Sequence, residues 1–462
     1  MPGLPIDRRE FLSLSARAAT GLLVASCTPP GGAVTRPRQR QRVTPEELDT
    51  RWPIKRVVYL MLENRSFDNL FGRFPGVDGA TAGVSFGREL PMIDCPDWLP
   101  GDLPHDHAAA LKDFAGGALD GFAIGAFGPI YAYSQFSEQD IPNYYHWARE
   151  YVICDNFFAS QLGPSYPNHL YWVSGSGGGT LDNPENIRVL REGDLQYKSW
   201  GCDAWGDDVY VLAQDENGLV TKRDLCFTMP TVGEQLSERG VDWASYAASP
   251  HQPGYIWQAY SAFENVYGSD LWDKHILDAP VDRLLEDIEA NRLPSVSWIT
   301  PRFQLSDHPP YSTGHAHNWV TDVVNGIMRS DMWGSVAIFI TWDEWGGFYD
   351  HVLPPKLDHI DVGFRVPMLV ISPYARKGFI DRDISDFVGP LRFIADNWDL
   401  PYLTERYEKV HNFEHVFDFT SKPRPPDPRP KLRGLTKDPW DFPEDFPEWP
   451  EWISPAPPAI AS

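Results

Sequence analysis

The chain has 462 residues, 42% of them hydrophobic, with 18 Trp, 19 Tyr and 25 Phe, and a formal net charge of −24. That much apolar and aromatic material excludes a mainly disordered chain and suffices for one large folded unit. The acidic balance excludes nucleic acid or an anionic membrane as a partner held by charge, since both are bound through an excess of Lys and Arg.

Residues 1 to 26 read as an address. Arg8-Arg9 precede Phe11-Leu12 and a moderately apolar stretch, the pattern of a signal for the twin-arginine export machinery. The run Gly21 to Ser26 is too short to span a bilayer. "LVASC" resembles a lipobox that leaves Cys27 as a lipidated amino terminus, and residues 27 to 50, rich in Pro, Gly and polar side chains, suit a tether to the membrane. The protein is therefore expected to be exported, periplasmic or at the cell surface. Cys95, Cys154, Cys202 and Cys226 remain; three pairings are open, Cys202 with Cys226 is the first choice, and no CxxC spacing marks a thiolate metal site.

Between residues 51 and 420 short apolar runs alternate with helical patterns. Strands are expected at Val57 to Leu62, Tyr151 to Cys154, Val241 to Tyr246, Ser295 to Ile299, Val336 to Thr341 and Pro367 to Ile371. "TMPTVGEQLSERG" has Thr228 in a cap position, an early Pro230 and Gly240 past its end, and "APVDRLLEDIEANRLP" has 3.6-residue apolar spacing. Strand, helix, strand at this rhythm predicts an α/β fold with a mainly parallel sheet between helix layers, in a single large domain. Residues 421 to 462 hold 12 Pro and read as an extended tail on or leaving that domain.

Ligands of such sheets bind beyond the carboxyl ends of the strands. Two predicted strands end in charge there: "VVYLMLENRSFDNLFG" releases Glu63 and Asn64, and "VAIFITWDEWGGFYDHV" releases Asp343 and Glu344, with Asp350 and His351 following. Carboxylates converging with an amide and no Lys repel one another unless a cation neutralises them, which points to a divalent metal. Taken singly, each stretch reads equally well as a helix cap or as solvated loop charge. In "SQLGPSYPNHLYWVSG" Ser165 begins a helix with Pro167 in its first turn, either as an ordinary cap or as a nucleophile sharing the helix amino terminus with a bound phosphate. Histidines cluster at His105 and His107 in "PHDH" and at His308 in "SDHPP", the last stiffened by two prolines and suited to bind a phosphoryl oxygen or protonate a leaving group. Nucleotide-cradle and G-x-S-x-G motifs are lacking from the sequence.

These segments, together with "HDHAAALKDFAGGALDGF", "GFRVPMLVISPYARKGFI" and "DFVGPLRFIADNWDLPYLTERY", resemble the phosphoesterase family of bacterial phospholipases C and an acid phosphatase, a branch of the alkaline phosphatase superfamily. The resemblance runs from about residue 54 to 420. It implies an alkaline-phosphatase-like core in which Glu63, Asn64, Asp343, Glu344 and Ser165 hold the metal, Ser165 attacks phosphorus, and His105 and His308 stand by the phosphoryl oxygens and leaving group. Asp350, His351 and His107 are expected nearby. Trp345 stands where many members have His, and Ser165 where many phospholipases have Thr. The all-oxygen ligand set favours Ca, Mg or Mn over Zn.

The expected activity is metal-dependent hydrolysis of a phosphodiester such as a phospholipid head group, through a phosphoserine intermediate. A phosphomonoesterase of the acid phosphatase type is the alternative, and a surface lipoprotein that kept the fold without the catalysis is a third reading. Aromatic "GYIWQAYSAF", Gly254 to Phe263, reads either as core or as a cage for a choline-like cation.

Overall fold

Seven strands form the central sheet of the computed structural model: Arg56–Leu62 (β1), Val152–Cys154 (β2), Trp243–Tyr246 (β3), Val296–Ile299 (β4), Val336–Trp342 (β5), Met368–Ile371 (β6) and Phe379–Asp381 (β7). The structure describes residues 44–122, 131–187, 199–204, 206, 208–250, 252–357 and 362–435. Arg8, Arg9, Cys27 and most of the predicted tether lie outside them, as do the three Trp residues of the tail. The strand order is β3-β4-β1-β5-β6-β2-β7. All neighbours pair in parallel except β6, which is antiparallel to both β5 and β2.

The two central strands explain themselves. Each residue of β1 and of β5 is buried because both sheet faces are covered, and apart from Arg56 and Thr341 the side chains on both are apolar or aromatic. Alternation along β5 identifies the two covering layers. Phe339 meets Phe393 of helix Val388–Trp398, with ring centroids 5.5 Å apart. Trp342, of opposite parity, meets Tyr144 of helix Pro142–Glu150 at 5.5 Å. Register pairs Leu62 with Trp342, so β1 and β5 end together on one edge.

The six expected strands are present. The seventh, β7, and the reversed direction of β6 were not expected. The helix Val232–Arg239 is capped by Thr231, three residues beyond the expected Thr228, with Glu234 completing a reciprocal capping box. Cys202 and Cys226 form a disulfide, while Cys95 and Cys154 are free and buried.

Residues 421 to 435 carry no helix or strand and run along helix Thr313–Arg329. Asn325 Nδ2 donates to the Arg429 carbonyl at 2.7 Å and Asn318 Nδ2 to that of Leu432 at 3.1 Å. Among the described residues no helix is long and apolar enough to cross a membrane.

Candidate active site

The shared edge of β1 and β5 gathers the polar residues. Asn64 turns out of β1 in the left-handed region, φ 61°, a conformation few non-glycine residues adopt outside tight functional turns. Its amide N–H donates to Asp343 Oδ1 at 2.7 Å. Glu344 Oε2 accepts the Gly346 amide at 2.6 Å. Gly346 is required here: a Cβ on it would lie 2.2 Å from the Asn64 carbonyl oxygen. Glu63, Asn64, Asp343 and Glu344 are all fully buried.

Helix Ser165–Ser174 (α1) supplies the hydroxyl. Its cap residue is Pro164, and the first-turn amide of Tyr166 is met by Asn183 Oδ1 at 3.0 Å, so Ser165 is the first helical residue with its hydroxyl unused by the helix. That hydroxyl faces Glu63 closely enough to lower its proton affinity. The loop before it is lashed down by Asn168, whose Nδ2 donates to the carbonyls of Gly163 at 3.2 Å and Pro164 at 3.0 Å while Oδ1 accepts the Gln161 amide at 3.0 Å. One turn beyond Ser165, on the same helix face, His169 Nε2 stands 2.9 Å from Glu63 Oε1 and 3.9 Å from Asp343 Oδ2.

Across this cluster lie two further imidazoles. His105 Nε2 is 3.1 Å from Asn64 Nδ2 and 4.0 Å from Glu344 Oε1; its Nδ1 lies 2.7 Å from the Leu103 carbonyl and 3.6 Å from Asp102. The His308 ring sits 5.6 Å from that of His105. His308 Nδ1 lies against the Pro309 carbonyl, which leaves Nε2 as the lone-pair nitrogen. The turn carrying His308 is held by Arg65, which donates from Nε and Nη2 to the Asp307 carbonyl at 3.0 and 2.8 Å, and by Trp342, whose indole N–H reaches Asp307 Oδ2 at 3.0 Å. On the outer side of His308 stand Phe303 at 5.0 Å and Trp257 at 6.1 Å. Trp257 is thus the member of the Gly254 to Phe263 stretch beside the site, whereas Tyr260 packs in the core against Trp243 and Trp298.

Burial and crowding set the charges. Desolvation, followed by repulsion from Asp343 and Glu344, pushes Glu63 far above the usual carboxylate range. Glu344 is raised well above it too, chiefly by burial and despite His105. For His105 burial acts downward, but Asp102, Glu344, the Leu103 carbonyl and Asp343 prevail and raise it to about 9. Desolvation, with the His105 charge, depresses His308 to about 3, and desolvation depresses His169 to about 4. A protonated His105 Nε2 and an amide hydrogen from Asn64 cannot share one contact. A cation on Asn64 Oδ1 and the carboxylates resolves the conflict, because it removes the negative field that holds the proton on His105.

The donor atoms fit such a cation. Glu63 Oε2, Asn64 Oδ1, Asp343 Oδ2 and Glu344 Oε1 are buried without a hydrogen-bond partner, an arrangement that costs several kcal/mol unless something positive meets it (about 1–3 kcal/mol for each unpaired group). Glu63, His169 and Asp343 offer one donor atom each within 4.8 Å of one another. An imidazole beside the carboxylates makes the expected all-oxygen ligand set one of mixed character and weakens its case against zinc.

Not all expected residues come here. Asp350 and His351 belong to a separate buried network: His351 Nδ1 meets Asp68 Oδ2 at 2.6 Å, and Arg365 donates to Asp350 Oδ1 at 3.1 Å and to Asp68 Oδ1 at 3.2 Å. The reason is Gly346 and Gly347, both at positive φ, which turn the chain away from Glu344. His107 Nδ1 contacts the Leu162 carbonyl at 2.9 Å and so fastens the loop before Ser165. Trp345, where many phosphoesterases carry His, donates its indole N–H to Asp113 Oδ2 at 2.9 Å. His169 and Asp102 were not expected; the spacing of four between Ser165 and His169 was the available signal.

The Phosphoesterase family profile matches residues 54–401. Phospholipase C B of Mycobacterium tuberculosis is 28% identical, over 94% of this chain and 91% of its own. Hemolytic phospholipase C of Pseudomonas aeruginosa is 26% identical over 84% of this chain, which spans 58% of that longer protein. Among solved structures, a protein in the alkaline phosphatase superfamily from Vibrio parahaemolyticus shares 11% identity at a TM-score of 0.36, over 78% of this chain and 69% of that one. The chain belongs to the Phosphoesterase family and is a hydrolase that acts on phosphoric ester bonds.

Proposed function

We propose that the protein is an exported, metal-dependent phosphodiesterase of the phospholipase C type that works through a phosphoserine at Ser165. The observation that carries this reading is the Ser165 hydroxyl, free of any capping duty and facing Glu63, beside buried oxygens of Asn64 and Asp343 that have no protein partner. Glu63, Asn64, Asp343, Glu344 and Ser165 would hold the ion, with His169 either joining them or orienting Glu63. The bound ion supplies positive charge that lowers the pKa of the serine hydroxyl and offsets charge on the phosphoryl oxygens.

In the first half-reaction Ser165 Oγ forms its bond to phosphorus as the bond from phosphorus to the leaving oxygen breaks, and the hydroxyl proton passes to Glu63, the group it already meets. The leaving oxygen departs on the side lined by His105 and His308 and takes its proton from a water there, and the hydroxide left behind is neutralised by the proton His308 later takes from the attacking water. In the second half-reaction His308 Nε2 accepts a proton from the attacking water, the Oγ–P bond breaks, and Ser165 recovers its proton from Glu63. The positive end of the α1 dipole adds stabilisation to the phosphoryl oxygens.

The amino-terminal pattern supports twin-arginine export and lipid attachment at Cys27. The test is hydrolysis of p-nitrophenyl phosphorylcholine and p-nitrophenyl phosphate, with and without a chelator. Preference for the first and loss with chelator are expected. Preference for the second would replace the diesterase reading by a phosphomonoesterase, and no hydrolysis with any divalent ion would overturn both.

A further inference from the structure

A second group of donors sits where β7 ends. We propose that Asp381, Asp383, His411 and His415 form a further divalent-cation site, of the zinc class, built from none of the residues assigned to catalysis. Asp381 is the last residue of β7, and the two histidines come from the loop around the turn Glu414–Val416. His415 Nε2 is 2.8 Å from Asp381 Oδ1 and 3.6 Å from Asp383 Oδ2, and His411 Nε2 is 3.5 Å from Asp381 Oδ2. Donor atoms of a tetrahedral zinc ion with bonds of about 2.1 Å stand about 3.4 Å apart, and the three contacts, at 2.8, 3.5 and 3.6 Å, bracket that spacing.

Two independent features indicate an ion rather than a surface ion pair. The Asp381 carboxylate is 2% exposed, and its Oδ2, aimed at His411, makes no hydrogen bond. Arg382, its neighbour in sequence, turns away to Asp155 at 3.5 Å and the Gly76 carbonyl at 2.6 Å, so no guanidinium meets that oxygen. The second feature is the backbone that presents the imidazoles. Phe413, between them, adopts φ 60°, a strained value for an aromatic residue, and the two rings lie 4.7 Å apart. That loop is tied down by the Arg376 amide, which donates to the Val416 carbonyl at 2.9 Å, and by the bridge between Ala375 and Phe417.

Two imidazoles and two carboxylates suit zinc, and manganese or cobalt after it, while calcium and magnesium prefer oxygen alone. Loading asks for two local changes. His411 Nε2 gives up its contact with the Asp383 carbonyl, 3.4 Å away. The Phe413 amide lies 3.2 Å from His411 Nδ1, and that nitrogen must carry the ring proton once Nε2 binds an ion, so this contact opens too. Half of the His411–His415 side stays open to water, with His415 35% and Asp383 69% exposed, which gives the ion its entry path. A bound ion would fasten the loop to the edge strand β7 and cover an otherwise open sheet edge.

The experiment is zinc titration of the full-length, chelator-stripped protein against a chromophoric competitor, in native, His415→Ala, Asp383→Asn and Ser165→Ala forms, with hydrolysis measured in parallel. The native protein is expected to bind one more zinc ion than His415→Ala, and Ser165→Ala to keep the zinc that His415→Ala loses. Asp383→Asn, an exposed substitution that leaves folding intact, is expected to weaken that ion at least tenfold with hydrolysis within about twofold of native. Equal stoichiometry and affinity in native, His415→Ala and Asp383→Asn would overturn the site. Loss of hydrolysis alone in Ser165→Ala bears on the catalytic reading and leaves this one standing.

Discussion

Asp343 Oδ1 accepts the backbone amide hydrogen of Asn64 at 2.7 Å, so one carboxylate both joins the ends of β1 and β5 and turns its other oxygen, without a partner, toward Glu63 and His169. The bond is structural and the free oxygen is functional. Asp343→Asn separates the two, since the amide oxygen can keep the Asn64 bond while the charge is lost. The substitution is expected to weaken metal binding at least 100-fold, yet leave the chelated protein as stable as native or more so, because it relieves the repulsion that raises Glu63. Thermal unfolding in chelator, beside metal titration, checks both.

Metal binding should release protons. His105 rises to about 9 in the cation-free site, so it carries a proton near neutral pH that a cation displaces, and Glu63 and Glu344, held above their usual range by burial, extend this proton release. Affinity for the ion therefore rises with pH up to about 9 and falls in acid. Calorimetry in buffers of different ionisation enthalpy measures the proton count; an affinity independent of pH between 6 and 8 contradicts the assignment.

Ser165 distinguishes catalysis from capping. Since the hydroxyl caps nothing, Ser165→Ala should forgo the loss of about 1 kcal/mol that removing a helix cap brings. Hydrolysis should still fall at least 1000-fold. A fall in stability with retained hydrolysis would assign the residue to the helix instead.

His169 is a positioning residue for Glu63 or a ligand beside it. His169→Gln is expected to weaken metal affinity 10- to 100-fold, and saturating metal should restore most of kcat. A loss of kcat at saturating metal with unchanged affinity would contradict this.

The Asp68, Asp350, His351 and Arg365 network should behave as structure. Asp350→Ala removes one of the two carboxylates that meet the fully buried Arg365, leaving Asp68 and the Asp78 and Asp155 carbonyls, and is expected to cost about 1–3 kcal/mol. His351, whose pKa burial lowers but Asp68 and Asp350 raise to about 9, has the opposite pH signature to an acid: its contribution is complete below about 6.5 and is lost as pH rises to 9. Urea unfolding of His351→Gln at pH 6 and pH 9.5 should show a deficit at the first and little at the second.

Six strands and both ends that carry carboxylates were legible in the sequence, because a run such as "VAIFITW" that is apolar on both faces has few other homes than the middle of a covered sheet. β7 was not, since three residues in "GFIDRD", two half-buried and one buried, show no period long enough to read. The reversal of β6 was hidden because an apolar run of four residues looks the same in either direction. His169 passed as helix body until Glu63 was seen beside it, a contact 106 residues apart in sequence. Asp350 and His351 were drawn to the site by proximity to Asp343, which two glycines undo.

The central claim is that Ser165 carries the phosphoryl group. Its most direct measurement is acid quenching of the metal-loaded protein during turnover of p-nitrophenyl phosphorylcholine, followed by peptide mass spectrometry. The account predicts one phosphoryl-containing adduct on the peptide holding Ser165, absent from Ser165→Ala and from the chelated protein. Turnover with no adduct there, or with Ser165→Ala as active as native, would contradict it.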